Sequence, residues 1–306
     1  MSGDGAVRFQ RRGPVAEILF DRPAARNALN EAMLDQLTSA LDRLHDVGLR
    51  VAVLRGAAGH FVAGADIAGF EGLESAEDGL AYEARMEGIF RRLETVPVAT
   101  LAVVEGYAVG GGLMLAASCD LRICTPDARF GMPIARTLGN ALSVANLRRL
   151  VAHLGPSRLT ALIFLADFLS GEEAVTLGFA LEVVEPEELE ARVDAICRSV
   201  ASHAPLTLRA TKEALRRIRD GGKEPGQWQT EPGRGVTEPG RGEKGTAGDD
   251  PDPADPRETA SETREPPPPP DALEGADLLR RIYGSRDFHE GVRSFLEKRP
   301  PEWEGR

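Results

Sequence analysis

Thr100-Leu-Ala-Val-Val-Glu-Gly-Tyr-Ala-Val-Gly-Gly-Gly-Leu-Met114 is the stretch on which the fold turns. Thr100–Val104 is an unbroken run of strand-formers with no polar alternation, the pattern of a strand covered on both faces. Three consecutive glycines, Gly110–Gly112, follow and open an apolar helix. A glycine turn at a helix start leaves amide N–H groups unpaired, and the helix dipole adds partial positive charge there. Such a turn suits an anionic oxygen, either a phosphate or an oxyanion that develops during a reaction. The run is neither G-x-G-x-x-G nor G-x-x-x-x-G-K-[ST], so nucleotide-phosphate readings fall away.

An upstream stretch has the same design: Val51-Ala-Val-Leu-Arg-Gly-Ala-Ala-Gly-His-Phe-Val-Ala-Gly-Ala-Asp-Ile67. A buried strand, Val51–Leu54, runs into small residues that let a ligand approach the backbone. Working outward, Val15–Phe20 and Leu121–Cys124 read as further strands. Asn30 caps a helix through Leu44, and Leu80–Leu93 is a second helix. Leu147–Leu154, Ser157–Phe168, Glu172–Leu177, Glu188–Ser202 and Pro205–Arg219 read as helices. Helical patterning resumes after Asp271, with a last helix over Asp287–Glu297. Strands separated by helices predict an α/β fold with a parallel-rich core, and the helix-rich second half predicts a cap or oligomerisation layer.

Residues 1–200 therefore read as the core, and 201–221 with 271–306 as a C-terminal helical layer. Between them, 222–270 holds 11 of the 21 prolines and repeats TEPGRG at Thr230–Gly235 and Thr237–Gly242. Its few apolar side chains cannot offset ordering entropy, which predicts a disordered insertion.

The formal charge of −11 argues against partners such as nucleic acid or an anionic membrane surface, and 5 % aromatics are too few for base-stacking platforms. Cys119, Cys124 and Cys197 fit no metal spacing and cannot pair completely, so no metal site and a reducing compartment are expected. No secretory signal and no apolar run of about 20 residues is visible, which predicts a cytoplasmic protein.

Six motifs in order make the two junctions specific: Asp21-Arg-Pro-Ala-Ala-Arg-Asn-Ala-Leu-Asn30, Phe61–Ile67, Val104–Gly112, Cys119-Asp120, Ala128-Arg-Phe-Gly-Met-Pro133 and Phe295-Leu-Glu-Lys-Arg299. Together the sequence resembles the crotonase superfamily, the enoyl-CoA hydratase/isomerase group, over everything but the insertion. The resemblance implies a spiral of ββα repeats with a C-terminal helical layer, assembled as a homotrimer or homohexamer. It implies an acyl-CoA thioester as substrate, with coenzyme A part of that substrate, no covalently bound cofactor, and a place in fatty acid metabolism. The backbone N–H groups of Ala65 and Gly111 would form the oxyanion hole for an enolate. Ala25, Arg26, Ala63, Gly64, Asp66, Ile67 and Gly110 would line the substrate site. Phe295 and Lys298 would reach the CoA of a neighbouring subunit. Asp66 and Asp120 read as structural anchors.

The chain departs from the family where a hydratase carries its two glutamates. Those positions hold Met114 and Ile134, and a third carboxylate position used by some members holds Leu142. A thioether and a branched alkyl group neither carry a proton nor orient water as a carboxylate does. Arg136, Thr137, Asn140, Ser143 and Asn146 follow directly. Arg136 is a candidate for a substrate carboxylate or phosphate. His60 and the helix bearing Glu83, Arg85 and Glu87 are the other polar groups nearby, and none stands out as a general base. These residues predict an acyl-CoA lyase or isomerase in which ordinary hydration is impaired. The alternatives are a decarboxylase or hydrolase of the same fold, or a non-catalytic acyl-CoA-binding or assembly subunit.

Overall fold

The computed structural model describes residues 5–221 and 269–305. The expected disordered insertion, 222–270, lies outside the described residues except for its last two.

Among the described residues the strands are β1 (Ala6–Arg12), β2 (Val15–Asp21), β3 (Val51–Gly56), β4 (Ala99–Val104), β5 (Tyr107–Val109), β6 (Leu121–Cys124), β7 (Arg129–Gly131) and β8 (Phe168–Ser170). The helices are α1 (Glu31–Asp42), α2 (Ala76–Thr95), α3 (Gly111–Ser118), α4 (Ile134–Thr137), α5 (Val144–Phe164), α6 (Gly171–Thr176), α7 (Leu189–Ser202), α8 (Pro205–Arg219), α9 (Ala276–Tyr283) and α10 (Arg286–Glu297). A five-stranded sheet runs in the order β1-β2-β3-β4-β6, and a three-stranded sheet in the order β5-β7-β8. The β1–β2 pair is antiparallel, while β2, β3, β4 and β6 pair in parallel.

Helices on both faces explain the apolar runs. Successive side chains of β3 point to opposite faces. Ala52 and Leu54 join the main core beneath α1, α2 and α3, whereas Val51 and Val53 join Val193, Ile196 and Cys197 of α7 on the other side. Parallel strands so covered need no polar alternation. A third cluster joins Phe70 and Leu80 to Leu279, Tyr283 and Phe288, which docks α9 onto α2 and α10 onto the turn that carries Phe70.

Local chemistry sets the helix starts. The Asn30 side chain accepts from the Met33 amide and caps α1. Ser75 and Asp78 form a capping box that starts α2. The helices expected over 147–154 and 157–168 form one kinked element, α5, which bends at Gly155 (φ 71°) and Pro156. The second of them ends earlier than its sequence suggests. Ala166 turns left-handed at φ 53°, and Phe168–Ser170 leaves as β8, pairing antiparallel with β7. The Ser170–Glu173 capping box then starts α6, close to the helix expected over Glu172–Leu177.

Asp120 is structural, as expected. Its Oδ2 accepts from the Thr100 amide and hydroxyl, both at 2.8 Å, and from Lys212 Nζ at 2.8 Å. The three cysteines are buried and unpaired. No helix among the described residues is long and apolar enough to cross a membrane, and no cluster there could hold a metal ion.

Candidate active site

The two glycine-bearing junctions are stitched to each other. The Val62 amide donates to the Tyr107 carbonyl, and the Val109 amide donates back to the Val62 carbonyl, both at 3.0 Å. Gly112 makes this contact possible, because a Cβ there would lie 1.9 Å from the Val62 carbonyl oxygen. Gly110, at φ 54° and ψ −115°, turns the chain into α3 while its own amide donates to the Gly131 carbonyl at 3.0 Å.

On the other junction, the Leu29 amide donates to the Gly64 carbonyl and the Asp66 amide to the Leu29 carbonyl. Asp66 anchors the turn, accepting from the Ala68 amide and pairing with Arg22 at 2.8 Å. Asn27, fully buried, ties the preceding loop down. It accepts from the Arg22 amide and donates to the carbonyls of Ala57 and His60. These bonds fix the residues on either side of Ala65 and Gly111. Among the described residues, neither of those two amides has a backbone acceptor.

Ala65 and Gly111 both border a cavity of about 750 Å³. Ala25, Arg26, Ala63, Gly64, Asp66, Ile67, Gly110, Met114 and Ile134 line it, as do Phe295 and Lys298. The last two, expected beside the CoA of a neighbouring subunit, border this chain's own cavity. The cause is the packing of α10: Phe288 lies against Phe70 and Tyr283, and Gly291 sits under Leu138. Lys298 ends α10 in a left-handed turn at φ 55° and borders the cavity. Arg26 stacks its guanidinium over the Tyr107 ring at 5.1 Å.

Two candidates fall elsewhere. Arg136 is exposed on α4 and does not line the cavity, because the short helix turns only Ile134, Thr137 and Leu138 inward. His60 is half-buried beneath Gly106 and beside Tyr107, also off the cavity. Arg85 is engaged by Glu31 and Asp35 on the outer side of α2.

Sequence reasoning missed the apolar wall. Phe70, Tyr82, Met86, Phe90 and Met132 line the cavity with Leu142. Tyr82, Met86 and Phe90 recur at four-residue spacing on α2, a signal that marks one helix face and does not distinguish core from cavity. Glu83 also lines the cavity and is 3 % exposed, an unusual position for a carboxylate.

A parallel α/β core, two cross-stitched glycine junctions and a helical layer folded over the cavity between them define the crotonase architecture. Methylmalonyl-CoA decarboxylase, solved in complex with 2-nitronate-propionyl-CoA, superposes with a TM-score of 0.74 at 26 % identity, covering 98 % of both chains. The sequence matches the enoyl-CoA hydratase/isomerase family over residues 10–232, and the chain belongs to that family of enzymes acting on acyl-CoA thioesters. Among its relatives, the short-chain-enoyl-CoA hydratase of Clostridium acetobutylicum is 34 % identical over 213 residues, covering 69 % of this chain and 81 % of that one. The 2,3-dehydroadipyl-CoA hydratase of Escherichia coli is 28 % identical over 300 residues, covering 97 % of each.

Proposed function

We propose that the thioester carbonyl oxygen of an acyl-CoA sits between the Ala65 and Gly111 amides, and that the enolate formed there comes from loss of CO₂ rather than from hydration. The observation that carries this reading is the pairing of two amides without backbone acceptors with apolar walls at Met114 and Ile134. Two amides converging on that oxygen would need no reorganisation as charge develops, and in a site shielded from water they would stabilise it strongly. Breaking a carbon–carboxylate bond delivers its electron pair to the α-carbon without a base. Hydration needs groups that deliver a water and its proton, and side chains at 114 and 134 have no such capacity. Lys298 at the cavity rim suits a CoA phosphate as a point charge. A full-length structural relative that is a decarboxylase supports the same direction.

A panel of CoA thioesters read by mass spectrometry tests the reading. A 2-carboxyacyl-CoA is expected to lose CO₂, while crotonyl-CoA stays unhydrated. Efficient hydration of crotonyl-CoA, with no loss of CO₂ from any 2-carboxyacyl thioester, would refute it.

The double substitution Met114→Glu with Ile134→Glu is expected to confer measurable crotonyl-CoA hydration. Two positioned carboxylates contribute typically ~10²–10⁴-fold each through general acid–base catalysis. If the double variant folds, binds crotonyl-CoA and shows no gain, these two positions do not stand in for the family's glutamates.

Assembly as a trimer or hexamer fits α8, whose Leu206, Leu215 and Ile218 are exposed. Buried unpaired thiols fit a reducing compartment such as the cytoplasm.

A further inference from the structure

Two carboxylates line the cavity: Asp66 is held by Arg22 and the Ala68 amide, and Glu83 has no part in the reaction as described so far. Glu83 projects from α2 and is 3 % exposed. Its Oε1 accepts a hydrogen bond from the Tyr283 hydroxyl at 2.8 Å, and its Oε2 is buried with no partner. An unpaired carboxylate oxygen in such a place carries a large desolvation cost, and a cavity-lining position gives it something to act on. Gly79, one turn earlier on the same face, admits the Tyr283 ring, since a Cβ there would lie 2.1 Å from its Cγ. Met86, three residues after Glu83, brings its Cε within 3.6 Å of where a Gly111 Cβ would be. The face of α2 that bears Glu83 therefore lies against the turn that carries the Gly111 amide.

We propose that Glu83, held by Tyr283, is the acid–base group of this cavity and exchanges a proton with the substrate carbon next to the thioester carbonyl. This rests on the reading that the carbonyl binds at Ala65 and Gly111. In the decarboxylating direction the bond from the α-carbon to the carboxylate breaks, CO₂ leaves and the electron pair becomes the enolate. The enolate pair then takes the proton of the Glu83 carboxyl, a C–H bond forms, and Glu83 is left as carboxylate until water reprotonates it. In the reverse sense, on a simple acyl-CoA, the Glu83 carboxylate removes the α-proton and returns it.

The protonation state suits both directions. Burial pushes the carboxyl up to about 7, partly offset by the Tyr283 hydrogen bond and by the nearby Ser143 amide and Asn146 side chain, neither hydrogen-bonded to Oε2, with Glu87 adding to the rise. The groups facing it are Tyr283 from α9, Tyr82 and Glu87 on α2, and Asn140, Ser143 and Asn146 from the segment that enters α5. Ser143 donates to Glu87 at 2.7 Å, which fixes that neighbouring charge.

The test is deuterium uptake at the α-carbon of butyryl-CoA in D₂O, read by mass spectrometry, with butyryl-CoA affinity measured by calorimetry. The wild type is expected to exchange, with a rate that rises with pH to a plateau above a midpoint near 7. Glu83→Gln is expected to slow exchange by ~100-fold or more with affinity unchanged. Tyr283→Phe removes a bond that favours the ionised carboxyl, so the midpoint should move upward. A merely structural role would leave the midpoint in place. Exchange by Glu83→Gln at the wild-type rate, or a Tyr283→Phe midpoint unmoved, overturns the proposal. Butyryl-CoA binding without exchange by the wild type removes the role of Glu83 and leaves the acyl-CoA reading standing. Absence of binding removes both.

Discussion

Replacing Gly111 by proline is expected to cut turnover of the CoA thioester by ~10²–10³-fold, the usual consequence of losing one oxyanion-hole donor. Gly111 is the first residue of α3, where proline fits a helix because that N–H has no intrahelical partner. Space is not limiting, since a Cβ at this position meets only the Met86 Cε at 3.6 Å. The substitution thus removes the donor and puts the ring Cδ in place of its hydrogen, so that the oxygen loses both the bond and close approach to that amide. Gly111→Ala keeps the donor and adds the same first carbon, so it should retain most of the turnover. The measurement is kcat on the thioester that the panel identifies, with the melting temperature of each variant as the check on folding. Equal turnover by a well-folded Gly111→Pro variant would mean that this amide does not hold the developing charge.

Glu94→Gln is expected to destabilise the fold by ~3–5 kcal/mol, the range for breaking a buried ion pair and leaving its partner uncompensated. Glu94 ends α2 and is 7 % exposed. Arg149 of α5 grips it in two places, Nε to Oε1 at 2.6 Å and Nη2 to Oε2 at 2.9 Å. Arg219 of α8 binds both oxygens as well, its Nη2 reaching Oε2 at 3.0 Å. The carboxylate thereby joins three helices distant in sequence. A neutral amide would leave two guanidinium groups facing each other in a site with little water.

The pH dependence follows from the same contacts. Burial by itself would push the Glu94 carboxyl up, but Arg149 and Arg219 outweigh it and hold the group down at about 2, against an ordinary 4.5. A depressed carboxyl contributes its full stability above the unfolded value and loses it as pH falls towards the folded one. The stability gap between wild type and Glu94→Gln, from urea melts, should be constant above about pH 5 and shrink on acidification towards about pH 2. A gap independent of pH across that window would show that the carboxylate's charge is not what holds the helices.

The backbone parts of the site were legible because their evidence is local. Asn30 announces a helix start through one side chain, Gly112 records that another stretch of backbone passes close by, and Gly110 records a left-handed turn of the chain. A strand covered on both faces writes that fact as unbroken apolar residues, as in Val51–Leu54 and Thr100–Val104. Short segments were harder. Phe168–Ser170 has too few residues for any period to show, and its strand identity comes only from β7 beside it.

By itself, then, the sequence determined that two small-residue junctions would offer free amides in an α/β frame, and that the carboxylates usual beside them are absent. Only the tertiary structure decided which side chains share the cavity. Arg136 turns outward within a single short helix, His60 is caught beneath Gly106, and the α10 end folds over its own chain's cavity. The Glu83–Tyr283 pair joins residues 200 positions apart. Nothing near Glu83 in the chain marks it off from the solvated glutamates of α2. Its difference is lost water and one hydroxyl, and both arrive only when α9 packs against Gly79.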